Sequence, residues 1–429
     1  MTYQETLDFL FSQLPMYQRI GKAAYKADLE TTLKLDAAFD NPHKSYKTIH
    51  VAGTNGKGSV SHSLASVLQE AGYKVGLYTS PHLRDFRERI RINGDMITEN
   101  AVIQFVEGNK NLLDDLKPSF FEMTVAMAFD YFRKKAVDVA VIEVGMGGRL
   151  DSTNIIEPEV SVITNIGMDH TAFLGTSKED IAGEKGGIIK ANVPVVIGQT
   201  QPETQSVFEK LANEKGTSIE FADQKYRISV ATYSVDEQQV LQIYKNETLL
   251  FPDLRLGLLG QYQQKNVLTV LSAIDKMKEK GFEISRQDIY KGLENVSKNT
   301  GLIGRWYYLG FNPRIVCDTG HNQDGIEAII KQIENTAHRE LHFILGMVND
   351  KDHDTVLSLL PKNAQYYFTR ASIPRSLAED ELKLKAKKHG LHGETYENPI
   401  LALTAAKKNA DSNDLIFIGG STFVVADVL

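Results

Sequence analysis

Two apolar runs, Val137–Val144 (VDVAVIEV) and Val160–Ile166 (VSVITNI), constrain this chain more than any other feature. A strand wetted on one face alternates apolar and polar residues. These runs are apolar on both faces, the pattern of strands buried within a parallel sheet. Strands and helices alternate around them. We read strands at 48–52, 74–79, 194–198 and 218–222, and helices at 57–70, 119–134, 177–191 and 201–214. Such alternation predicts an α/β fold, a mostly parallel sheet with helices on both faces. Residues 1–45 read as helical and polar. Residues 224–258 alternate instead, over 226–233 and 239–244, and predict a small antiparallel β-patch, followed by a helix over 261–280.

The polar stretch Ser297-Lys298-Asn299-Thr300-Gly301 predicts a boundary. Beyond it a second α/β series starts, with strands at 314–318, 341–346, 365–369 and 415–418 and helices at 324–335, 353–360, 377–389 and 397–409. The expected organisation is therefore a domain over 1–299 and a smaller Rossmann-like α/β domain over 300–429, each large enough to bury its own core. The lysine run at 383–388 reads as a solvated helix face.

Composition excludes several classes. The single cysteine, Cys317, rules out an intramolecular disulfide and a cysteine-rich metal site, and its predicted place in a strand marks it as a buried hydrophobe. With 48 basic and 55 acidic residues the net charge is −7, so the chain is not built to coat nucleic acid or an anionic membrane. No apolar run approaches the ~20 residues of a membrane helix, and the first residues lack the basic start of a signal peptide. These features predict a cytoplasmic protein in which any anionic ligand is held by a local site.

Gly53-Thr54-Asn55-Gly56-Lys57-Gly58-Ser59 lies between a predicted strand and a predicted helix. Glycines let backbone amides converge on phosphate oxygens, and the helix N-terminus adds partial positive charge. In this pattern Lys57 reaches the β/γ-phosphates and a hydroxyl holds Mg²⁺. The strict phosphate-loop pattern is not met, because Val51 stands where its first Gly belongs and Gly58 separates Lys57 from Ser59. The alternative is a glycine-rich turn with a surface lysine. The strand–loop–helix context favours a nucleotide loop and hence a P-loop-type sheet.

Six further strings follow in order: YTSPHL at 78–83, ERIRING at 88–94, EVGMGGRLDSTN at 143–154, NIGMDH at 165–170, EKGGIIK at 184–190 and DTGHNQDG at 318–325. Together with GTNGKGS the chain resembles the folylpolyglutamate synthase/dihydrofolate synthase family, the folate branch of the Mur ligases. The resemblance implies an ATP-dependent acid–amino-acid ligase that joins L-glutamate to a folate carboxylate, or to dihydropteroate, through an acyl phosphate. It implies Mg²⁺ as cofactor, ATP as co-substrate, two domains that close on the reactants, and a monomer. A peptidoglycan-type Mur ligase acting on a UDP-linked sugar peptide is the alternative, against which the SPHL and GGRLDSTN strings speak. A nucleotide-driven switch without ligase chemistry is a third class, and the guanine-reading string of a GTPase is missing from the sequence.

Residue by residue, the resemblance places Thr54, Asn55, Gly56, Lys57, Gly58 and Ser59 on ATP, with Asn266, Arg305, Asp318 and His321 from the second half. It places Ser59, Ser80, Glu143, His170 and Lys185 at Mg²⁺, and Lys57, Lys185, His170 and Glu143 in catalysis. Lys185 is implied to be carbamylated, which needs a neutral amine and hence burial. The family usually reads EKAGI, where Gly186 stands here, and DGAHN, where Thr319-Gly320 stand here. His82, Ser119, Phe121, Arg149, Leu150, Asp151 and Ser152, with Asn154 in the same loop, are implied to hold the pteroate. Each has a plainer reading: a strand-end cap for Ser80, a buried ion pair for Glu143, a loop histidine for His170, a surface lysine for Lys185, an Asx turn for Asp151 and core packing for Phe121. A substrate-contacting loop is expected within 17–29.

Overall fold

The computed structural model describes residues 1–14, 28–234, 238–349 and 352–429, so the expected loop at 17–29 lies almost wholly outside the described residues. Two compact units emerge. One comprises Met1–Gly257 with Gln263–Gly301, the other Leu258–Tyr262 with Leu302–Leu429. The short segment Leu258–Tyr262 thus groups with the second unit rather than with the first series of elements. Its Leu259 packs on the second unit's core, and Gln261 N–H donates to Gln332 Oε1 at 2.7 Å. No helix among the described residues is long and apolar enough to cross a membrane.

In the first unit the strands are β1 (Lys47–Ala52), β2 (Val75–Tyr78), β3 (Ile90–Ile92), β4 (Asp95–Met96), β5 (Val139–Glu143), β6 (Val160–Ile163), β7 (Val195–Ile197) and β8 (Ile219–Phe221). They lie in the order β4-β3-β2-β5-β1-β6-β7-β8. From β2 to β8 all pairings are parallel; β3, within ERIRING, and β4, just after it, add an antiparallel edge. The apolar runs fill both faces. Val139 and Val141 of β5 face one core with Ile49 and Val51, while Ala140 and Ile142 face the other with Tyr78 and Phe129. Strands β9 (Tyr226–Tyr233), β10 (Gln239–Lys245) and β11 (Thr248–Leu256) form the antiparallel patch.

The helices that matter for the site are α1 (Tyr3–Gln13), α2 (Lys57–Glu70), α3 (Phe120–Lys134), α4 (Lys178–Gly186) and α5 (Gln263–Glu279). The helix expected over 177–191 stops at Gly186. The turn that follows packs on another loop so closely that a Cβ on Gly187 would lie 2.4 Å from Arg149 Cα. The Gly186-Gly187 pair is also a poor helix former, and α4 ends where it stands.

The second unit carries β12 (Tyr307–Phe311), β13 (Arg314–Cys317), β14 (Leu341–Leu345), β15 (Gln365–Thr369), β16 (Gly393–Tyr396) and β17 (Leu415–Gly419), in the order β12-β13-β17-β14-β15-β16. All pairs are parallel except β12 with β13. Like β3 and β4 in the first unit, two strands of this unit escaped the sequence reading, β12 and β16. Both are short edge strands, paired on one side only and partly exposed, so neither shows a buried-strand pattern. Cys317 is fully buried in β13, as expected, and burial pushes its thiol up to about 12.

Candidate active site

The loop after β1 is strapped to the end of β6. Thr54 N–H donates to Asn165 O at 2.9 Å and Asn55 N–H to Asn165 Oδ1 at 2.9 Å. Thr164 Oγ1 donates to Asn55 O at 2.5 Å, and Gly167 N–H to Thr54 Oγ1 at 2.9 Å. Gly56 takes φ +84° at the N-cap of α2, and a Cβ there would lie 2.4 Å from Asn266 Oδ1. The left-handed backbone there favours glycine. Asn266 on α5 sits directly on the turn. Its Nδ2 donates to Gln263 Oε1 at 2.7 Å, and Gln263 Nε2 donates to Ser59 Oγ at 3.0 Å.

Two lysine amines meet on one carbonyl. Lys57 Nζ donates to Gly53 O at 2.9 Å and to Thr54 O at 3.1 Å, while Lys185 Nζ reaches the same Gly53 O at 2.9 Å. Lys185 is 4% exposed. Burial first, and then the charge of Lys57, hold its amine down to about 7, with Asp169 and Asp151 opposing. The lysine that reads in sequence as a surface residue is thus buried and close to neutral.

Glu143 ends β5 beside Val51 of β1 and is 4% exposed. Its Oε2 accepts from Ser80 N–H at 3.1 Å, so the ends of β2 and β5 bring the serine and the carboxylate together. His170 is half-exposed in a left-handed backbone turn (φ +52°), its N–H on Asp169 Oδ1 at 2.9 Å.

The GGRLDSTN loop is largely self-held. Asp151 is buried, which raises its pKa, and it accepts from Met146 N–H at 2.9 Å, Thr153 N–H at 3.0 Å and Thr153 Oγ1 at 2.5 Å. Its carboxylate is engaged as an Asx turn, the plainer of the two readings. Ser152 is buried beside it and Leu150 is half-buried. Arg149 pairs with Glu184 at 2.8 Å, and Asn154 Nδ2 donates to Arg149 O and Gly187 O, tying this loop to the segment that carries Lys185. Ser119 caps α3 in a reciprocal box with Glu122. Phe121 is half-buried against Gly145 and Tyr78. His82 accepts at Nδ1 from Arg89 Nε–H at 2.7 Å, and burial, then Arg89, hold its pKa down to about 3.

In the second unit Asp318 follows β13 and is buried, which raises its pKa. Its Oδ2 accepts from Tyr262 Oη–H at 2.5 Å and Trp306 N–H at 2.7 Å, its Oδ1 from Gly320 N–H at 2.8 Å. Arg305 donates to Thr319 Oγ1 and to Gly304 O, and His321 Nδ1 lies 3.0 Å from Thr319 O. Among the described residues Glu340, His342 and Asp414 form a further group of potential metal donors. Both Asp414 oxygens are occupied, by Arg339, His342 and the Glu340 and Asp411 amides, which describes a structural ion pair.

Residues 51–274 match the Mur ligase middle domain and residues 304–422 the Mur ligase, glutamate ligase domain. The dihydrofolate synthase/folylpolyglutamate synthase of Bacillus subtilis is 32% identical over 99% of this chain and 98% of its own length. The chain belongs to the folylpolyglutamate synthase/dihydrofolate synthase family. A probable bifunctional folylpolyglutamate synthase/dihydropteroate synthase of Haloferax volcanii is 33% identical over 100% of this chain, which spans 50% of that longer relative. Escherichia coli FolC, solved with DHPP and ADP, superimposes with a TM-score of 0.87 at 29% identity, over 100% of this chain and 97% of FolC. A bifunctional folylpolyglutamate synthase/dihydrofolate synthase solved with Mn, AMPPNP and L-glutamate gives 0.84 at 26% identity, over 100% of this chain and 97% of that one. The similarity therefore runs to folate enzymes rather than to ligases of UDP-linked sugars.

Within this folylpolyglutamate synthase-family fold, three supporting residues were missed in the sequence. Asn165 holds the loop backbone, Gln263 bridges Ser59 to Asn266, and Tyr262 occupies Asp318. Asn165 sits at a strand end inside NIGMDH, and Gln263 lies three residues before Asn266 on one helix face, so spacing could have flagged both. Nothing local marks Tyr262.

Proposed function

We propose that this chain is an ATP-dependent ligase that adds L-glutamate to the carboxylate of folates, and to dihydropteroate as well. The observation that carries the reading is the convergence of Lys57 and Lys185 on Gly53 O beneath a turn that favours glycine, with Glu143 at the neighbouring strand end. The Lys57 ammonium, held only by neutral carbonyls, leaves positive charge available for a phosphate chain, and the buried Lys185 amine beside it is held toward its neutral form. Residues 1–299 then serve as the ATP-binding domain and 300–429 as the glutamate ligase domain of a cytoplasmic monomer.

In this mechanism the folate carboxylate attacks the γ-phosphorus of ATP and ADP leaves, giving an acyl phosphate. The amine of L-glutamate attacks the acyl carbon, and phosphate departs from the tetrahedral intermediate. Lys57 swings from the loop carbonyls to the β/γ-oxygens, where its charge offsets what develops during transfer. The amides of Thr54, Asn55, Gly56 and Gly58 and the start of α2 cradle the phosphates. Asn266, Arg305 and His321 are assigned to the nucleotide, with Asp318 bracing the backbone beside the last two through Trp306 N–H and Gly320 N–H. The donor set suits Mg²⁺: a buried carboxylate (Glu143) and hydroxyls (Ser59, Ser80) are hard oxygen ligands, joined by His170. When bound, the ion supplies Lewis acidity and shields the γ-phosphate. Lys185 as an ammonium does not fit a cation site; carbamylated by CO₂ it becomes a carboxylate-like ligand, and its lowered pKa makes the reactive neutral amine available near pH 7. His82, Ser119, Phe121, Arg149, Leu150, Asp151 and Ser152 are assigned to the pteroate wall, Ser119 and Asp151 by shaping it.

The decisive experiment is phosphate release from Mg-ATP, with and without L-glutamate, comparing dihydropteroate and tetrahydrofolate as acceptors. Glutamate-dependent release with either acceptor is expected, and both are expected to be used. Release without glutamate, or turnover only of a UDP-linked muramoyl peptide, rejects the reading.

A further inference from the structure

We infer that Arg89 fixes the tautomer of His82, so that the histidine presents Nε2–H as a permanent hydrogen-bond donor to an acceptor atom on the pteroate part of the substrate. This rests on the folate reading above and adds a residue, Arg89, that the reading does not use.

The geometry is specific. Arg89 Nε–H donates to His82 Nδ1 at 2.7 Å. A guanidinium has donors only, so Nδ1 must be the lone-pair nitrogen and the ring proton must sit on Nε2. Among the described residues Nε2 has no hydrogen-bond partner. Arg89 cannot readily turn away. It is 3% exposed, its guanidinium lies 5.1 Å from the Phe120 ring centroid, and the Tyr78 hydroxyl with the Glu143 and Glu88 carboxylates answers its charge. Glu88 also gathers the amides of Leu83, Arg84 and Asp85, which fixes the turn that carries His82.

The surroundings suit a flat aromatic ligand. The His82 ring lies 6.3 Å from those of Phe11 and Phe86. Both of these pack on Phe120, at 5.5 and 5.9 Å. A lone oriented donor within an apolar aromatic wall is the arrangement that gives orientation and discrimination to a bound heteroaromatic or aryl-carbonyl group. Arg89 is a positioning residue, acting through His82.

The test has a part that needs no substrate. Long-range ¹H–¹⁵N correlation on ¹⁵N-histidine protein, with His82 assigned by the signal lost in His82→Gln, should show a protonated Nε2 and an unprotonated Nδ1; a proton on Nδ1 overturns the proposal whatever the enzyme catalyses. The kinetic part uses the geometry of amides, Gln placing its N–H near Nε2 and Asn near Nδ1. His82→Asn should raise KM for the folate acceptor about tenfold beyond His82→Gln, with KM for ATP alike in the two. Arg89→Lys should raise the acceptor KM about fivefold in the wild-type background and leave it unmoved in the His82→Gln background, since Gln carries its donor without help. Equal KM values for the Asn and Gln variants, or an Arg89→Lys effect of the same size in both backgrounds, overturn the proposal. If wild-type protein turns over no folate acceptor, the functional reading falls while the tautomer measurement still stands.

Discussion

The strand ends of the two units present opposite states of polar satisfaction. After β1 in the first unit, Lys57 and Lys185 share one carbonyl, and Lys185 is driven toward neutrality by burial and by its neighbour. After β13 in the second, Asp318 is closed off by a tyrosine hydroxyl and two backbone amides. The same topological edge of an α/β sheet can therefore hold groups prepared for an anion or groups that brace the fold. Sequence motifs mark both and do not distinguish them.

The contrast is testable. The largest effect is expected for Lys57→Ala, which should lower kcat about a thousandfold with unchanged circular dichroism, because the transferring phosphoryl group loses its fixed cation; an unchanged rate breaks the reading of the first unit. Glu143→Gln should follow with about a hundredfold loss of kcat/KM and a raised Mg²⁺ requirement in a metal titration, since a neutral amide is a poor ligand for a hard dication.

The Lys185 amine gives a pH signature. Its folded pKa, about 7, lies below that of an ordinary lysine, so the unfolded chain binds the extra proton between these values and the amine is mostly neutral in the fold above pH 7. Enzyme stripped of CO₂ should regain activity on adding bicarbonate, faster at pH 8 than at pH 6. A ¹³C carbamate resonance should appear in wild type and not in Lys185→Met. Equal rates at the two pH values would return Lys185 to the class of ordinary lysines.

The smallest effects are expected in the second unit. Asp318→Asn should destabilise it by about 2 kcal/mol in chemical denaturation, because the amide cannot accept from all three donors. Tyr262→Phe should cost about 1 kcal/mol. If Asp318→Asn instead raises KM for ATP with no loss of stability, Asp318 belongs with the prepared groups and the contrast between the units narrows.

Most of the α/β elements were legible in the sequence, because buried parallel strands are written as local apolar runs and the loop as a local glycine pattern. The short strands β3 and β4 and the edge strands β12 and β16 were not, since two or three residues, or a strand paired on one side, lack that run. At the candidate site the identity of Glu143 stood out, as a carboxylate inside an apolar strand must. The engagement of Asp151 within its own turn could be weighed but not decided, and the capping role of Ser119 emerged only in the structure.

The amino-acid order by itself determined two α/β series, a glycine loop between strand and helix, and a set of motifs that names a family, all signals carried within a few residues of one another. Only the tertiary structure decided which polar groups are engaged: Lys185 meets Gly53 across 132 residues, Gln263 meets Ser59 across 204, and Tyr262 closes on Asp318 across 56. Hydrogen-bond satisfaction and burial are properties of neighbours in space, and the neighbours here come from segments that no local pattern relates.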